Sequence, residues 1–306
     1  MAILVTGGSG FLGIALIPKL LKQGHKVYSL SRHPPEAREN LVPIEGDILL
    51  TDLGLVEVPR DIHALHHLAA IHRLGEDKDG EIWKTNVLGT ENVIDFCTRY
   101  KIPHLYFTST AYTQGRNTYE RSKALCETMI SESAIPMVTI FKPSIIMGTP
   151  QHFYPGHFSQ FVALVIKIHQ RAEVVRRKIE GSLRLPVLEP VFRMRANPKG
   201  KINLIQIDEV AKAMAEIYKP GTYWLTHSAP PTLEQLVDWV GEFIMVKIKL
   251  ESAFKPSPIE IMFEKMSAAF TAYLWGDDFP SDLKNCPPIT REFIDDTIKR
   301  TILSNA

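Results

Sequence analysis

The chain has 306 residues, 45% of them hydrophobic, and its 35 lysines and arginines balance 34 aspartates and glutamates to a formal charge of +1. This ordinary globular composition suits one large domain or two unequal ones, and no whole-chain charge argues for nucleic acid or an anionic membrane as the partner. Three cysteines (Cys97, Cys126 and Cys286), odd in number and widely spaced, speak against a disulfide framework or a zinc site.

The opening "AILVT" at 2–6 predicts a short apolar strand, "GGSG" a tight turn, and "FLGIALIPKLLKQG" a helix ended by Gly24. Further strands are predicted at "KVYSLS" (26–31), "LVPIEGD" (41–47), "ALHHLAA" (64–70), "HLYFTST" and "PMVTIFKP", with helical patterns between them that hold Cys97 and Cys126 as packing residues. Apolar strands alternating with helices imply a doubly wound parallel α/β sheet of Rossmann type. Beyond Pro143 come a loop, a long amphipathic helix over "FSQFVALVIKIHQRAEVVRRKI" and a proline-rich stretch. "INLIQIDEVAKAMAEIY" then reads as a strand, an Asp208 cap and a helix that rejoins the sheet, and further helices follow. The expected domains are a dinucleotide-binding unit over 1–145, rejoined by 202–223, and a smaller, mostly helical substrate lobe over 146–201 and 224–306. Neither a signal-type leader nor a membrane span is read here, and a cytoplasmic setting is expected.

"TGGSGFLG" places Gly7, Gly10 and Gly13 at the first strand-to-helix junction, where such a pattern has mechanical meaning. Gly7 permits the turn, Gly10 lets the main chain approach a pyrophosphate, and Gly13 brings helix against strand. The helix start, with Phe11 and Leu12, offers its N–H groups to the anion. At the end of the second strand a carboxylate would bind ribose hydroxyls, but Ser31 and Arg32 stand there, and a guanidinium suits a 2′-phosphate. NADP is therefore expected over NAD. After the third strand, Asp47, with Ile48 beside it, reads either as an adenine contact or as a turn residue.

Carbonyl reduction leaves an alkoxide that must be protonated, and a tyrosine can serve if its pKa falls from about 10 towards neutrality. In "YERSK", Lys123 lies one helical turn after Tyr119, on the same face, where an ammonium favours the phenolate. Alone, such a pair equally describes two solvated helix residues. "FTST", which ends a parallel strand just before it, supplies Ser109 and Thr110 as candidate substrate-orienting hydroxyls.

"TGGSGFLG", "GDI", "HLAA", "NVLGTENV", "FTSTAY" and "YERSK", in that order, resemble the extended short-chain dehydrogenases/reductases (the NAD-dependent epimerase/dehydratase type) over the first half of the chain. The resemblance implies Tyr119 as acid/base, Lys123 as the residue that holds the nicotinamide ribose, and Thr110 as the orienting hydroxyl. It also implies cofactor contacts from Leu68, Ala69, Ala70, Asn86 and Pro143. "STAY", "KPSIIMG" and "INLIQIDEVAKAM" are similar to the male-sterility or thioester-reductase branch. The chain departs from many extended members in the short link between Thr110 and Tyr119, which implies an opener pocket entrance.

Ten lysines and arginines between Lys167 and Lys201 face only Glu173, Glu180 and Glu189. That excess suits a phosphate-bearing or carrier-protein-linked small-molecule substrate, and equally a solvated helix face. The expected activity is an NADPH-dependent reduction of an aldehyde, ketone or acyl thioester. An NDP-sugar epimerase, reductase or dehydratase and a non-catalytic NADP-binding sensor are the rivals. No metal is expected, and a homodimer is compatible with the resemblance.

Overall fold

The computed structural model describes residues 1–154, 156–183 and 191–304. Arg184, Glu189 and much of the proline-rich stretch lie outside these. The chain divides into two compact units: Met1–Ile146 with Ile205–Ser228 and Pro280–Cys286, and Met147–Leu204 with Ala229–Phe279 and Pro287–Ala306.

In chain order the elements of the first half are β1 (Ala2–Thr6), α1 (Phe11–Lys22), β2 (Lys26–Ser31), β3 (Leu41–Glu45), β4 (Ile62–His67), α2 (Glu81–Trp83), α3 (Gly89–Arg99), β5 (His104–Thr108), α4 (Thr118–Ser131), β6 (Met137–Pro143) and β7 (Ile145–Met147). A π-helical turn, Lys84–Leu88, joins α2 to α3. The second half holds α5 (His157–Leu183), β8 (Phe192–Arg195), β9 (Leu204–Gln206), α6 (Ile207–Glu216), β10 (Gly221–Leu225), α7 (Leu233–Ile244), β11 (Ile248–Glu251), α8 (Pro258–Met266), α9 (Ala268–Thr271) and α10 (Arg291–Ser304).

The first unit is built on a seven-stranded sheet of order β10-β6-β5-β4-β1-β2-β3, with every pairing parallel. Alternate side chains serve opposite faces, which is why the strands read as unbroken apolar runs. Leu4, Leu65, Leu105 and Phe107 join Val93 and Phe96 of α3 and Cys126 and Ile130 of α4 on one face. Ile3, Val5, Ala64 and Tyr106 join Leu16 and Leu20 of α1 and Val210 and Met214 of α6 on the other. Pro43 is tolerated because β3 is an edge strand.

The order reverses between β1 and β4, the switch point at which doubly wound sheets bind ligands beyond their carboxyl ends. The strand that completes the sheet is β10, "GTYWL", paired with β6, whereas "INLIQ" contributes only the short β9 ahead of α6. Asp208 does not cap α6; Gln206 occupies the N-cap and Asp208 sits in the first turn, where its charge favours the helix dipole.

The second unit packs Val165 and Ile168 of α5 with Phe192, Met194, Val237 and Phe263. It also contains a feature with no clear sequence signal, a two-stranded parallel ribbon of β8 and β11. The buried Glu260 accepts from Arg193 Nε at 2.9 Å and from the Ser257 amide at 2.6 Å, closing a capping box on α8. Burial opposes its charge, yet the Arg193 and Ser257 hydrogen bonds prevail and hold its carboxyl down at about 2.

Candidate active site

The glycine turn follows directly from β1. Gly7 sits at φ +72°, and a Cβ there would meet the Ala69 amide nitrogen at 2.8 Å. At Gly13 a Cβ would meet the Gly8 carbonyl oxygen at 2.4 Å, so α1 approaches the turn more closely than any side chain allows. Gly10, the N-cap of α1, offers no side-chain acceptor, and Phe11 and Leu12 open the helix behind it. A Gly13→Ala variant is expected to lose about 1–3 kcal/mol of stability through this overlap, together with dinucleotide affinity. Thermal melting checks the first loss, and fluorescence titration with the two reduced nicotinamide dinucleotides the second.

At the end of β2 the Ser31 hydroxyl is buried without a hydrogen-bond partner, while Arg32 is exposed. An orphaned hydroxyl beside a free guanidinium, a short way from a glycine cradle, fits the adenosine ribose end of a dinucleotide. Asp47 shows the turn role foreseen as one of its two readings: its carboxylate accepts from the Leu49 amide at 2.9 Å, and Ile48 behind it is buried against Gly89.

Beyond β4, Leu68, Ala69 and Ala70 pass the glycine turn, held by a chain of buried hydrogen bonds. The Thr90 hydroxyl donates to the Asn86 carbonyl at 2.6 Å, so towards His67 Nε2, 3.1 Å away, it must accept. His67 therefore carries its proton on Nε2, and its Nδ1 accepts from the Thr6 hydroxyl at 2.8 Å. Thr6 Oγ1 is left to accept from the Ala69 amide at 3.4 Å. The Asn86 side chain continues the chain outward, bonded to the Ile71 amide and carbonyl and, at 3.0 Å, to the Ser122 hydroxyl of α4. Asn86 lies in the π turn, which rotates its side chain out of the regular helical register.

Helix α4 begins at a proper cap, with Asn117 Oδ1 accepting from the Glu120 amide, and carries Tyr119 and Lys123 in its first turns. The Thr110 hydroxyl stands near enough to the Tyr119 phenol to favour its ionised form. Thr110 Oγ1 also accepts from the Tyr112 amide at 3.2 Å. The Ser109 hydroxyl points elsewhere and donates to Glu127. Of the two hydroxyls proposed from "FTST", Thr110 is thus the one beside the phenol. Pro143 ends β6, its carbonyl accepting from the Ala111 amide at 2.8 Å.

The electrostatics differ from expectation. Lys123 is buried and donates to the Thr108 carbonyl at 2.7 Å, close to the Phe107 ring. Burial pushes its ammonium down to about 8 against the raising influence of Cys126 and Glu127. Burial likewise drives the Tyr119 phenol above its ordinary value, with the nearby Thr110 hydroxyl opposing. The predicted lowering of the phenol is therefore not found in the protein by itself: Lys123 spends its charge on a carbonyl, and desolvation dominates. A phenol in this state stays protonated at neutral pH and is loaded as an acid.

Sequence reasoning passed over Ser122, His67, Thr90 and Glu127. Glu127 was accessible through the helical period, four residues after Lys123. His67 lay inside "HHLAA", but its role depends on Thr90, which is distant in sequence. Among the described residues no cluster of potential metal ligands occurs, and no helix is long and apolar enough to cross a membrane.

Residues 3–136 match the NAD dependent epimerase/dehydratase family and residues 113–214 match the male sterility protein family. Over 121 residues the chain is 37% identical to 2-alkyl-3-oxoalkanoate reductase of Stenotrophomonas maltophilia and, over a similar span, 32% identical to UDP-glucose 4-epimerase of Corynebacterium glutamicum. These matches cover 39% and 38% of the chain and only 36% of each relative. In fold, the chain is similar to the terminal R domain of the myxalamid PKS-NRPS pathway, with a TM-score of 0.68 and 19% identity over 99% of the chain and 91% of that domain. It is also similar to Thermus thermophilus UDP-glucose 4-epimerase in complex with NAD, with a TM-score of 0.60 and 20% identity over 99% of each chain.

Proposed function

We propose that this chain, which belongs to the extended short-chain dehydrogenase/reductase family, is an NADPH-dependent reductase of a carbonyl, either an aldehyde or ketone or an acyl thioester. The observation that carries the reading is the placement of the Tyr119 phenol beside the Thr110 hydroxyl just past the carboxyl end of β5, with Lys123 one turn further along α4. When bound, the reduced nicotinamide supplies the hydride. Tyr119 Oη gives its proton to the oxygen of the carbonyl, Thr110 orients that oxygen, and Lys123, anchored on the Thr108 carbonyl, would hold the nicotinamide ribose. With a thioester the product of this step is a hemithioacetal, whose C–S bond breaks as its hydroxyl proton passes to the departing sulfur, releasing the thiol and an aldehyde.

Gly7, Gly10, Phe11, Leu12 and Gly13 would hold the pyrophosphate, and Ser31 and Arg32 the 2′-phosphate of NADP. Asp47 and Ile48 would border the adenine, and Leu68, Ala69, Ala70, Asn86 and Pro143 the remainder of the cofactor. The preference for NADP rests on Arg32 in the absence of an acid at Ser31; several structural neighbours were solved with NAD. Dinucleotide binding by the first unit, substrate recognition by the second, and a cytoplasmic setting belong to the same proposal.

The test follows nicotinamide absorbance with NADPH and NADH against panels of acyl-CoAs, aldehydes, ketones and NDP-sugars. Turnover of a carbonyl panel member is expected. Turnover of NDP-sugars alone would favour the epimerase reading, which the matched relatives also include. Replacing Arg32 by Ala should raise KM for NADPH by about 10- to 100-fold through loss of a charged hydrogen bond and leave KM for NADH nearly unchanged. Equal effects on the two cofactors would overturn the NADP assignment.

A further inference from the structure

Tyr119, Lys123 and Glu127 recur every four residues along α4 and so lie on one face of the helix. The Glu127 carboxylate accepts from the Ser109 hydroxyl, just past β5, and pairs with the Lys142 ammonium on β6. Lys142 is 4% exposed. A charge so far out of water is costly unless held on several sides, and this one is: besides Glu127 it reaches the Thr113 hydroxyl at 3.3 Å and lies over the Trp224 indole of β10 at 5.1 Å. The pair therefore joins α4, the end of β5, the loop from Ser109 to Asn117 and the neighbouring strands β6 and β10. The backbone adds its own ties, Ser109 N to Phe141 O and Ala111 N to Pro143 O, each at 2.8 Å.

The same loop is the short link between Thr110 and Tyr119. With so few residues between the two hydroxyls, their separation is set by where each end of the loop is anchored. One end is anchored by Ser109, the middle by Thr113, and the far end by α4 itself, and all three anchors converge on Glu127 and Lys142.

We infer that Glu127 and Lys142 are positioning residues that fix the Thr110–Tyr119 distance and thereby aim the proton donor. The inference rests on the reductase reading for its catalytic consequence but not for its structural one, and the two are tested separately. Hydrogen–deuterium exchange over residues 110–118 is compared in the unmodified protein, Glu127→Gln, Lys142→Met and the double variant. Alongside it are measured NADPH affinity and, with the carbonyl substrate identified by the panel, kcat and KM.

Glu127→Gln should accelerate exchange over 110–118 while peptides from β1 and β2 keep their rates. It should lower kcat on the order of 10- to 100-fold, as a misplacement of an ångström does, and leave KM and NADPH affinity within about twofold. The double variant should recover part of the loss, because no buried charge is left unpaired, and Lys142→Arg should keep more activity than Lys142→Met. Unchanged exchange over 110–118, or equal loosening of the whole first unit, would overturn the inference. So would losses in kcat and NADPH affinity of the same size. Should Glu127→Gln fail to fold, Ser109→Ala removes a single anchor and carries the same readouts. If the unmodified protein reduces no carbonyl, the functional reading fails while the exchange result still decides the clamp.

Discussion

Tyr119→Phe is expected to lower kcat by about 10²- to 10⁴-fold, the usual contribution of a positioned general acid, without weakening NADPH binding. The change removes one oxygen from a partly buried ring and leaves the ring's packing intact. The neighbouring Thr110 hydroxyl keeps its hydrogen bond from the Tyr112 amide, so the structural cost should be small. Single-turnover absorbance measurements with saturating NADPH separate the chemical step from binding. A variant that retains full activity would remove Tyr119 from the mechanism. Burial holds the Tyr119 phenol protonated through the neutral range, whereas the Lys123 ammonium is pushed down to about 8. Activity in the reductive direction should accordingly decline above about pH 8 as Lys123 loses its charge, and the pH profile of kcat/KM reports that limb.

Stability should fall steeply in mild acid. His66 and His67, adjacent on β4, are both buried, and burial lowers each to about 3 from 6.5. The sign follows from proton counting. Between 3 and 6.5 the unfolded chain binds two protons that the folded protein refuses, so the stabilisation is complete above the unfolded value and is lost as the pH drops towards the folded one. Two such groups give a slope that approaches about 2.7 kcal/mol per pH unit well below 6.5, or roughly 3 kcal/mol between pH 6.5 and 5, against the 5–15 kcal/mol that holds a typical domain together.

The two histidines differ in what a charge would break. His67, as the Nε2–H tautomer, needs Nδ1 free to accept from Thr6, so protonation severs the chain that holds Ala69. His66 stacks on Tyr106 with ring centroids 4.2 Å apart, and its Nδ1 has no partner. His66→Phe should therefore keep the stacking and make the slope shallower. Urea midpoints at pH 7, 6 and 5 provide the measurement, and a midpoint that stays level over this range would contradict it.

The fold was legible where the signal is local. The βα alternation and the glycine turn follow from period, apolar runs and turn chemistry and stand where those signals place them, whereas β3, β4 and β5 end two or three residues earlier than read, at Glu45, His67 and Thr108, so that Leu68–Ala70, Ser109 and Thr110 lie just past the strands. The seventh strand was missed because "GTYWL" is short and half-exposed at the sheet's edge, so its apolar pattern is weak. The β8–β11 ribbon escaped for a related reason: two four-residue strands separated by more than fifty residues carry no period that a sequence window can register.

By itself the sequence determined which residue types stand at the switch point: glycines where a Cβ would strike backbone, a basic residue after β2, and a tyrosine and lysine one helical turn apart. These are matters of identity and spacing along a single element. Which hydroxyl meets Tyr119, which tautomer His67 holds, and where Lys123 and Lys142 place their charges were decided only by the tertiary structure. Each depends on partners brought in from other strands and helices, and on a burial that reverses the expected direction of the tyrosine's pKa. Desolvation belongs to the assembled core, and no stretch of chain read alone contains it.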